Sequence, residues 1–594
     1  MTESRRGPYY SALVPSEKPH SRPAEPGARG GEGPPAEDPP EAAAPAAAEP
    51  PEGPAPAAAE PPEAAAPPHP EARAARGRRL ALSTAFFSLA TGVSRVAGLA
   101  REIIVAGFFG VSGAMSAFTI AFQVPNLVRA LFADAALQGA FVPIFTELLE
   151  KGDRREAFRV ASGVFFLLTV VLGALTAGFI LAAPALVPLF APGFDPALES
   201  LTVSLSRLMF PIVALLAVSG LVVGMLNSFD HFSVPALAPI AWNLVIIGAL
   251  VGLTPVLPEG KEIYAYAIGV LAGTVVQLVL PMPWLRGRGG RLTLTLGWRN
   301  AQVRRVLKLM LPVTIALGLI NFSLLINSFF GTLVSAEAPA AIDKAFRIYM
   351  LPQGLFSVAV ATILFPTLSR LAARGAFDEL RATMANGVRG ISMLLIPSAA
   401  LVAVLAEPIT RLVYQRGAFN AEATDLVAIA LFWWAFSLPF QGVSLLFSRT
   451  FFSLQRPWLT TALAGGNLIL NAVVALVLYE PLGVAGIVIG TVVATVAMTV
   501  AQGLLLRPTL GGIDALRTLG AMARILACAV ALGGVAYAVW APLDALLGRS
   551  LLGQIGSLGA AFAAGLAVYA IGVWLLRVPE ARQVGRLVRA RLAR

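Results

Sequence analysis

Residues 80–110 read LALSTAFFSLATGVSRVAGLAREIIVAGFFG, and the fold follows from what this stretch demands of its surroundings. It is long enough to cross a bilayer as a helix, which takes about 20 apolar residues. It nevertheless carries Arg95, Arg101 and Glu102. An arginine at the centre of a membrane helix costs roughly 2.5–3.5 kcal/mol on insertion scales. Arg95 stands sixteen positions beyond Arg79, about 24 Å at the helical rise, which places it deep in the span. At 100° per residue, Ser94, Arg95, Gly98, Arg101 and Glu102 share one side, and the other is Leu, Val, Ile and Ala. One polar stripe on an apolar helix marks a span that lines a cavity.

The rest of the chain has the same character. Of its 594 residues 57% are hydrophobic and only 13% charged, about half the charged share of a soluble protein. Apolar stretches of 18 or more residues recur from Leu80 to Leu576, so the fold class is an all-α polytopic membrane protein. Residues 1–79 differ: a Pro/Ala/Glu-rich tail, with repeats such as PPEAAAP, ends in the basic Arg73, Arg76, Arg78 and Arg79. Its first 70 residues hold 19 of the 44 prolines and cannot build a core, so a disordered tail is expected. Without those 70 residues, 40 basic and 23 acidic residues remain, a net charge of +17. Loop asymmetry accounts for that charge without a nucleic-acid partner. The lone Cys528 excludes an intrachain disulfide.

Fourteen spans are expected, at about 82–107, 113–147, 157–189, 201–227, 233–254, 263–284, 306–334, 342–371, 384–406, 424–452, 458–479, 483–507, 518–541 and 554–577. Basic residues gather before the first span, after the second, sixth and eighth, and in the C-terminal segment 578–594. The positive-inside rule then puts both termini in the cytoplasm and requires an even number of spans. The chain also repeats itself. FFG at 108–110 recurs at 329–331, Pro125 has a counterpart in Pro352, FVPIFTEL resembles LFPTLSRL, and Asn243 matches Asn467. These offsets predict two pseudo-symmetric six-helix lobes, an N-lobe at 80–290 and a C-lobe at 291–510, followed by two further helices at 511–577. An even-numbered repeat relates the lobes about an axis along the membrane normal, with a cavity between them near the midplane.

Further charges fall inside the apolar runs: Arg129 and Asp134 in the second span, Arg347 in the eighth, and Arg207 and Arg449 elsewhere. Asp343 and Lys344, at the start of the eighth span, read either as its first helical residues or, the favoured reading, as part of the preceding loop. Arg207 and Arg449 read as snorkelling or inter-helix contacts. Arg101 and Glu102 could simply pair with each other. Arg95, Arg129 and Arg347 come from both lobes with few carboxylates to match them, and together cost roughly 8–10 kcal/mol to insert. An anionic cargo would offset that cost, and arginine's planar fork suits phosphate oxygens.

SRVAGLARE, FFG, AFQVPNLVRALFADAALQGAFVPIF, the APGF at 191–194 and LPQGLFSVAVATILFPTLS resemble the MurJ/MviN family of lipid II flippases, within the multidrug/oligosaccharidyl-lipid/polysaccharide exporter superfamily. The resemblance runs from about residue 82 to about 510. It implies fourteen helices in two lobes and alternating access. It also implies transfer of undecaprenyl-pyrophosphoryl disaccharide-pentapeptide from the inner to the outer leaflet of the bacterial cytoplasmic membrane, alongside other cell wall synthesis proteins. The family's functional arginines fall on Arg95, Arg101, Arg129 and Arg347; Glu102 stands where the family often has Asp, with Ser94, Gly98 and Asp134 in supporting positions. Three positions depart from the family pattern: Ser116 for an aspartate, Gln123 for a lysine and Ala130 for an arginine found in some members.

Some members of the family have a sodium site. Asn327, Asn467, Asn471 and Thr491 are the corresponding candidates here, although neutral amides hold a cation weakly and inter-helix hydrogen bonding is the favoured reading of them. No phosphate-binding loop G-x-x-x-x-G-K-[ST] is present, so neither ATP hydrolysis nor a bound cofactor is expected, and membrane potential or sodium would supply the drive. A drug or metabolite antiporter of the same superfamily would need an acidic cavity. An intramembrane enzyme acting on polyprenyl phosphate would need clustered carboxylates or a nucleophile–base pair. Neither pattern appears, and a non-transporting scaffold would leave the buried arginines without purpose.

Overall fold

The computed structural model describes residues 70–578, apart from 130–134, 230, 232, 289, 291, 294, 296 and 513. The Pro/Ala/Glu-rich tail up to residue 69, Ala130, Asp134, the side chain of Arg129 and the basic segment from 579 onward lie outside the described residues.

Every regular element described is helical. The first expected span is α1 (Pro70–Phe109), and the second is divided into α2 (Gly113–Arg129) and α3 (Ala135–Glu150). α4 (Arg154–Phe190) follows, then α5 (Pro196–Met209) and α6 (Ile212–Ser228), which share the fourth span. α7 (Ser233–Leu253) and α8 (Ile263–Val279) complete the first half. The second half begins with α9 (Ala301–Val334), then α10 (Ala338–Pro352), which continues through a π turn at Gln353–Ser357 into α11 (Val358–Ala373). α12 (Phe377–Val404) and the short α13 (Ala406–Tyr414) precede α14 (Ala421–Ala435) and α15 (Leu438–Ser453). α16 (Pro457–Leu482), α17 (Val484–Thr509), α18 (Ala515–Leu547) and α19 (Leu551–Leu575) close the chain. Among the described residues, ten helical segments are long and apolar enough to cross a membrane, or eleven if α14 and α15, bent by 49°, form one span. The other three expected spans correspond to α1, the α2–α3 pair and α9.

Local chemistry sets many of these boundaries. Asp153, Asp195, Asn300, Asn420 and Ser550 each stand just before a helix, and their side-chain oxygens accept from backbone N–H groups of its first turn. Pro196 follows Asp195 at a position where its missing N–H costs nothing. Gly483, at φ +56°, divides α16 from α17.

Packing sorts the helices into two halves. Phe141, Phe145, Val160, Leu221 and Met225 join α3, α4 and α6 in one core, and Phe118, Leu205, Ile246 and Tyr266 join α2, α5, α7 and α8 in another. Trp434, Leu431, Ile487 and Tyr349 anchor the second half. α9 belongs to both, since Val303 and Val306 pack with α3 and α4 while Phe330 packs with α10 and α14. α18 and α19 pack on α12 through Ile525, Leu532 and Leu401. The outer faces stay apolar: Leu181 is 80% and Leu552 82% exposed. In water such a surface would aggregate, whereas in hydrocarbon it is the solvated face.

α16 and α17 approach so closely that a Cβ at Gly486 would lie 2.0 Å from the Leu478 carbonyl oxygen, whereas one at Gly466 would meet nothing within 4 Å. Gly486→Ala is therefore expected to destabilise the protein by about 1–3 kcal/mol through overpacking, with Gly466→Ala near neutral. Thermal unfolding of the two detergent-purified variants measures the difference, and equal melting temperatures would contradict this packing.

Candidate functional site

A cavity of about 750 Å³ lies between the halves, walled by α1, α2, α7, α8 and α10, with Arg95, Gly98, Arg101, Glu102 and Arg347 all on its surface. The periodicity of α1 produces this placement, with Gly98 between the two arginines leaving room beside the side chain of Asn243. Ser94 is half-buried and outside the cavity wall.

Glu102 is the centre of the site. Its Oε1 accepts from Arg101 Nη2 at 2.6 Å and pairs with Arg347 Nη1 at 2.8 Å, while its Oε2 accepts from Lys344 Nζ at 2.9 Å. Arg347 also reaches back one turn, donating from Nε to Asp343 Oδ2 at 2.7 Å. Arg101 lies over the Trp242 ring, 4.7 Å from its centroid, and its Nε is buried without a hydrogen-bond partner among the described residues. The carboxylate thus joins α1 of the first half to α10 of the second. Three cations share one anion, and Asp343 supplies a second, so the cluster keeps a positive surplus before Arg95 is added.

The arginines differ in their surroundings. Arg101 is 7% exposed and Lys344 fully buried. Arg95 is exposed on the cavity side, with no ion pair or hydrogen bond among the described residues. Its charge is available to a ligand. Arg207 and Arg449 make contacts between helices: Arg207 Nε donates to the Ile180 carbonyl at 3.1 Å, and Arg449 lies over the Phe365 ring at 5.3 Å.

Asp343 and Lys344 correct the sequence reading. They belong to no loop, because α10 starts at Ala338 and both stand within its first two turns. Lys344 was missed as a site residue for that reason. The first turn of α10 is capped from two sides: Ser335 Oγ, just before it, accepts from the Ala338 N–H at 3.2 Å, and Ser116 Oγ, on α2, accepts from the Ala340 N–H at 3.1 Å. A nearby residue also ties α2 to the second half, since Gln123 Nε2 donates to Ser328 Oγ on α9 at 2.7 Å. Ser116 and Gln123, two departures from the family pattern, are therefore contacts between the halves.

Past the charge cluster, the cavity is sealed where α1 ends and α2 begins. The Ala418 N–H donates to the Gly107 carbonyl at 2.8 Å, and the Gly193 N–H donates to Thr332 Oγ1 at 3.3 Å. Gly110 and Gly417 adopt φ of +55° and +60°, and a Cβ on either would lie within 2.5 Å of a carbonyl oxygen across the seam. Gly193 admits no Cβ either, with Thr332 O at 2.0 Å. FFG and APGF thus supply glycines that let backbone meet backbone.

Of the four cation-site candidates, Asn327, Asn471 and Thr491 come together. Asn327 Nδ2 donates to Thr491 Oγ1 at 3.0 Å and Asn471 Nδ2 to Asn327 Oδ1 at 3.2 Å. Asn467 is half-buried one turn away and makes no bond to this cluster.

Removing the shared anion takes the carboxylate from Arg101 and Lys344 and leaves Arg347 with Asp343 alone. Breaking a buried ion pair costs about 3–5 kcal/mol, so Glu102→Gln is expected to lower the melting temperature clearly, while Arg95→Ala leaves it unchanged. Differential scanning fluorimetry on the purified variants checks both halves of this expectation.

Residues 105–543 match the family model described as lipid II flippase MurJ. A probable lipid II flippase MurJ of Rhizobium meliloti (strain 1021) is 34% identical over 404 residues, covering 67% of this chain and 75% of that protein. One of Rhizobium tropici is 32% identical over 503 residues, covering 82% and 92% respectively. Among solved structures, a lipid II flippase MurJ in its inward closed conformation aligns with a TM-score of 0.69 at 21% identity, covering 82% of this chain and 99% of that one. An inward-facing multidrug resistance MATE family transporter of the MOP superfamily aligns at 0.60 and 18%, over 71% and 95%. At these identities the solved structures speak to the fold alone.

Proposed function

The chain belongs to the lipid II flippase MurJ family, and from that premise we propose that it moves lipid II from the inner to the outer leaflet of a bacterial cytoplasmic membrane, with both termini in the cytoplasm. The observation that carries this reading is Arg95, an arginine without a partner among the described residues, facing a large cavity beside a cluster already rich in positive charge. A pyrophosphate supplies the missing anion. Its oxygens meet Arg95 first, then the partly exposed edge of Arg347 and the unused Nε of Arg101; the family resemblance assigns Arg129, the last residue of α2, to the same role.

Glu102 holds Arg101, Lys344 and Arg347 in place until the cargo arrives. Cargo phosphate competes with the carboxylate for Arg347 and loosens the link between α1 and α10. The seam at Gly107, Gly193 and Ala418 then parts on the outer side while the inner side closes. The membrane potential drives the charged step, at about 2.3 kcal/mol per charge per 100 mV. The cargo's chain stays in the lipid phase, and other cell wall synthesis proteins receive the product. An antiporter of organic cations would want the opposite charge in this cavity.

The test is made in cells depleted of the protein, scoring the fraction of labelled lipid II reached by a membrane-impermeant enzyme added outside. Wild type restores that fraction. Arg95→Ala, equally expressed, is expected to support transport roughly 10–150-fold more slowly, the effect of losing a charge-assisted hydrogen bond. Full restoration by the variant would overturn the role given to Arg95. Replacing external sodium by choline in the same assay separates the drives: unchanged transport leaves Asn327, Asn471 and Thr491 as an inter-helix brace, and lost transport assigns them a cation.

A further inference from the structure

Ala418, which donates across the seam to Gly107, follows a very short helix. α13 has nine residues, and helices below about 12–15 residues are marginal unless packing holds them. From the end of α13 the chain turns tightly into the seam. The Arg416 N–H donates to the Tyr414 carbonyl at 2.7 Å, and the Phe419 N–H to the Arg416 carbonyl at 3.2 Å. A displacement of α13 therefore carries Ala418 with it. Whatever fixes α13 decides how firmly the seam stays shut.

Two buried side chains hold it, three residues apart on the helix. Tyr414 meets the charge cluster: its hydroxyl donates to the Lys344 carbonyl at 3.5 Å, and the Lys344 ammonium lies 5.6 Å from its ring centroid. Arg411 meets the last two helices. Its Nη2 donates to the Asp544 carboxylate on α18, its Nε donates to Gln554 Oε1 on α19 at 3.4 Å, and the group lies 5.9 Å from the Trp540 ring centroid. Glu407, one turn back on α13, adds a looser contact at 3.6 Å from a half-exposed position. Asp544 is thus the close, largely buried anion for a buried guanidinium, and removing such a partner leaves an uncompensated charge. Among the described residues, none of α18 or α19 lines the cavity, so their hold on α13 is not part of the cargo site.

We propose that Arg411 and Asp544 are positioning residues of the outer gate: through α13 they make α18 and α19 the anchor that keeps the seam closed at rest. The inference rests on the seam parting during transport, as in the cycle above, and adds the element that sets how readily it parts.

Ala106, fully buried in the same core as Tyr414 and Phe419, serves as the reporter. Ala106→Cys is introduced into the full chain, and its labelling by a membrane-impermeant maleimide added outside growing cells is timed. The unaltered chain gives the background from Cys528. Adding Asp544→Asn, which keeps the shape and removes the charge, speeds labelling about two- to thirtyfold, the span of coupling carried through such contacts. Asp544→Glu restores the parent rate. Gln554→Leu removes only the neutral acceptor, so it gives a smaller increase and tests the same contact should Asp544→Asn fail to accumulate. Gly297→Ala crowds the connection before α9, where a Cβ would lie 2.5 Å from Gly163 Cα. It lowers the melting temperature and leaves labelling unchanged. If Asp544→Asn and Gln554→Leu label no faster than the parent, or Gly297→Ala labels as fast as Asp544→Asn, the anchor falls while the seam's role stands. If Ala106→Cys labels only after unfolding in detergent, the seam never parts and both fall.

Discussion

One carboxylate organises the centre of this protein. Glu102 accepts from Arg101 beside it on α1 and pairs with Lys344 and Arg347 on α10, so a single anion both neutralises charge and joins the two halves. A buried pair is a weak source of net stability, because desolvation offsets most of the attraction. Its value here is positional. Each cation has a fixed place in the low-dielectric interior, and the cluster stays short of negative charge. The insertion cost of the two arginines of α1 is thus met in two ways: Arg101 is stabilised within the protein, by Glu102 and Trp242, whereas Arg95 is left for whatever enters the cavity.

Much of this was legible in the sequence, where helical period and charge position decided it. The stripe at Arg95, Gly98, Arg101 and Glu102 could be read directly, because 3.6 residues per turn puts these positions on one face. Arg347 was legible as a charge inside an apolar run. Lys344 was not, because the start of α10 was not read from its local cap, Ser335, whose Oγ accepts from the Ala338 N–H. A second contact on that turn comes from Ser116, more than two hundred residues earlier in the chain, whose Oγ accepts from the Ala340 N–H. The internal repeat held the missing signal. FFG at 108–110 precedes α2, and the same triplet at 329–331 precedes α10, so the α10 register could have been carried over from α2. Ser94 illustrates the converse limit, since sharing a stripe does not place a residue on the cavity wall.

The Asn327–Asn471–Thr491 cluster shows what spacing cannot decide. Asn467 and Asn471 share a helix face at i, i+4, yet only Asn471 faces α9 and α17 and bonds with Asn327 and Thr491. Which of two equivalent amides meets a partner depends on the rotation of α16 against its neighbours, and that is a property of tertiary packing. The glycines of FFG and APGF were visible as motifs, while their purpose appears only when the opposing carbonyls of Ala418 and Thr332 come into view.

That seam is built largely from main-chain groups, with Gly107, Gly193 and Ala418 contributing backbone atoms and Thr332 one hydroxyl. With Ser116 to Ala340 and Gln123 to Ser328 added, four hydrogen bonds among the described residues join the halves around it, beside the Glu102 ion pairs. At about 0.5–1.5 kcal/mol net for each, they bias the closed arrangement by roughly 2–6 kcal/mol, a population ratio of about 30 to 20,000. A ligand reverses such a bias only through a difference in affinity between the two arrangements of similar size. Contacts between glycine backbones freeze few side-chain rotamers when they form, so little conformational entropy opposes reclosing. The seam can therefore part and re-form repeatedly with its resting preference intact.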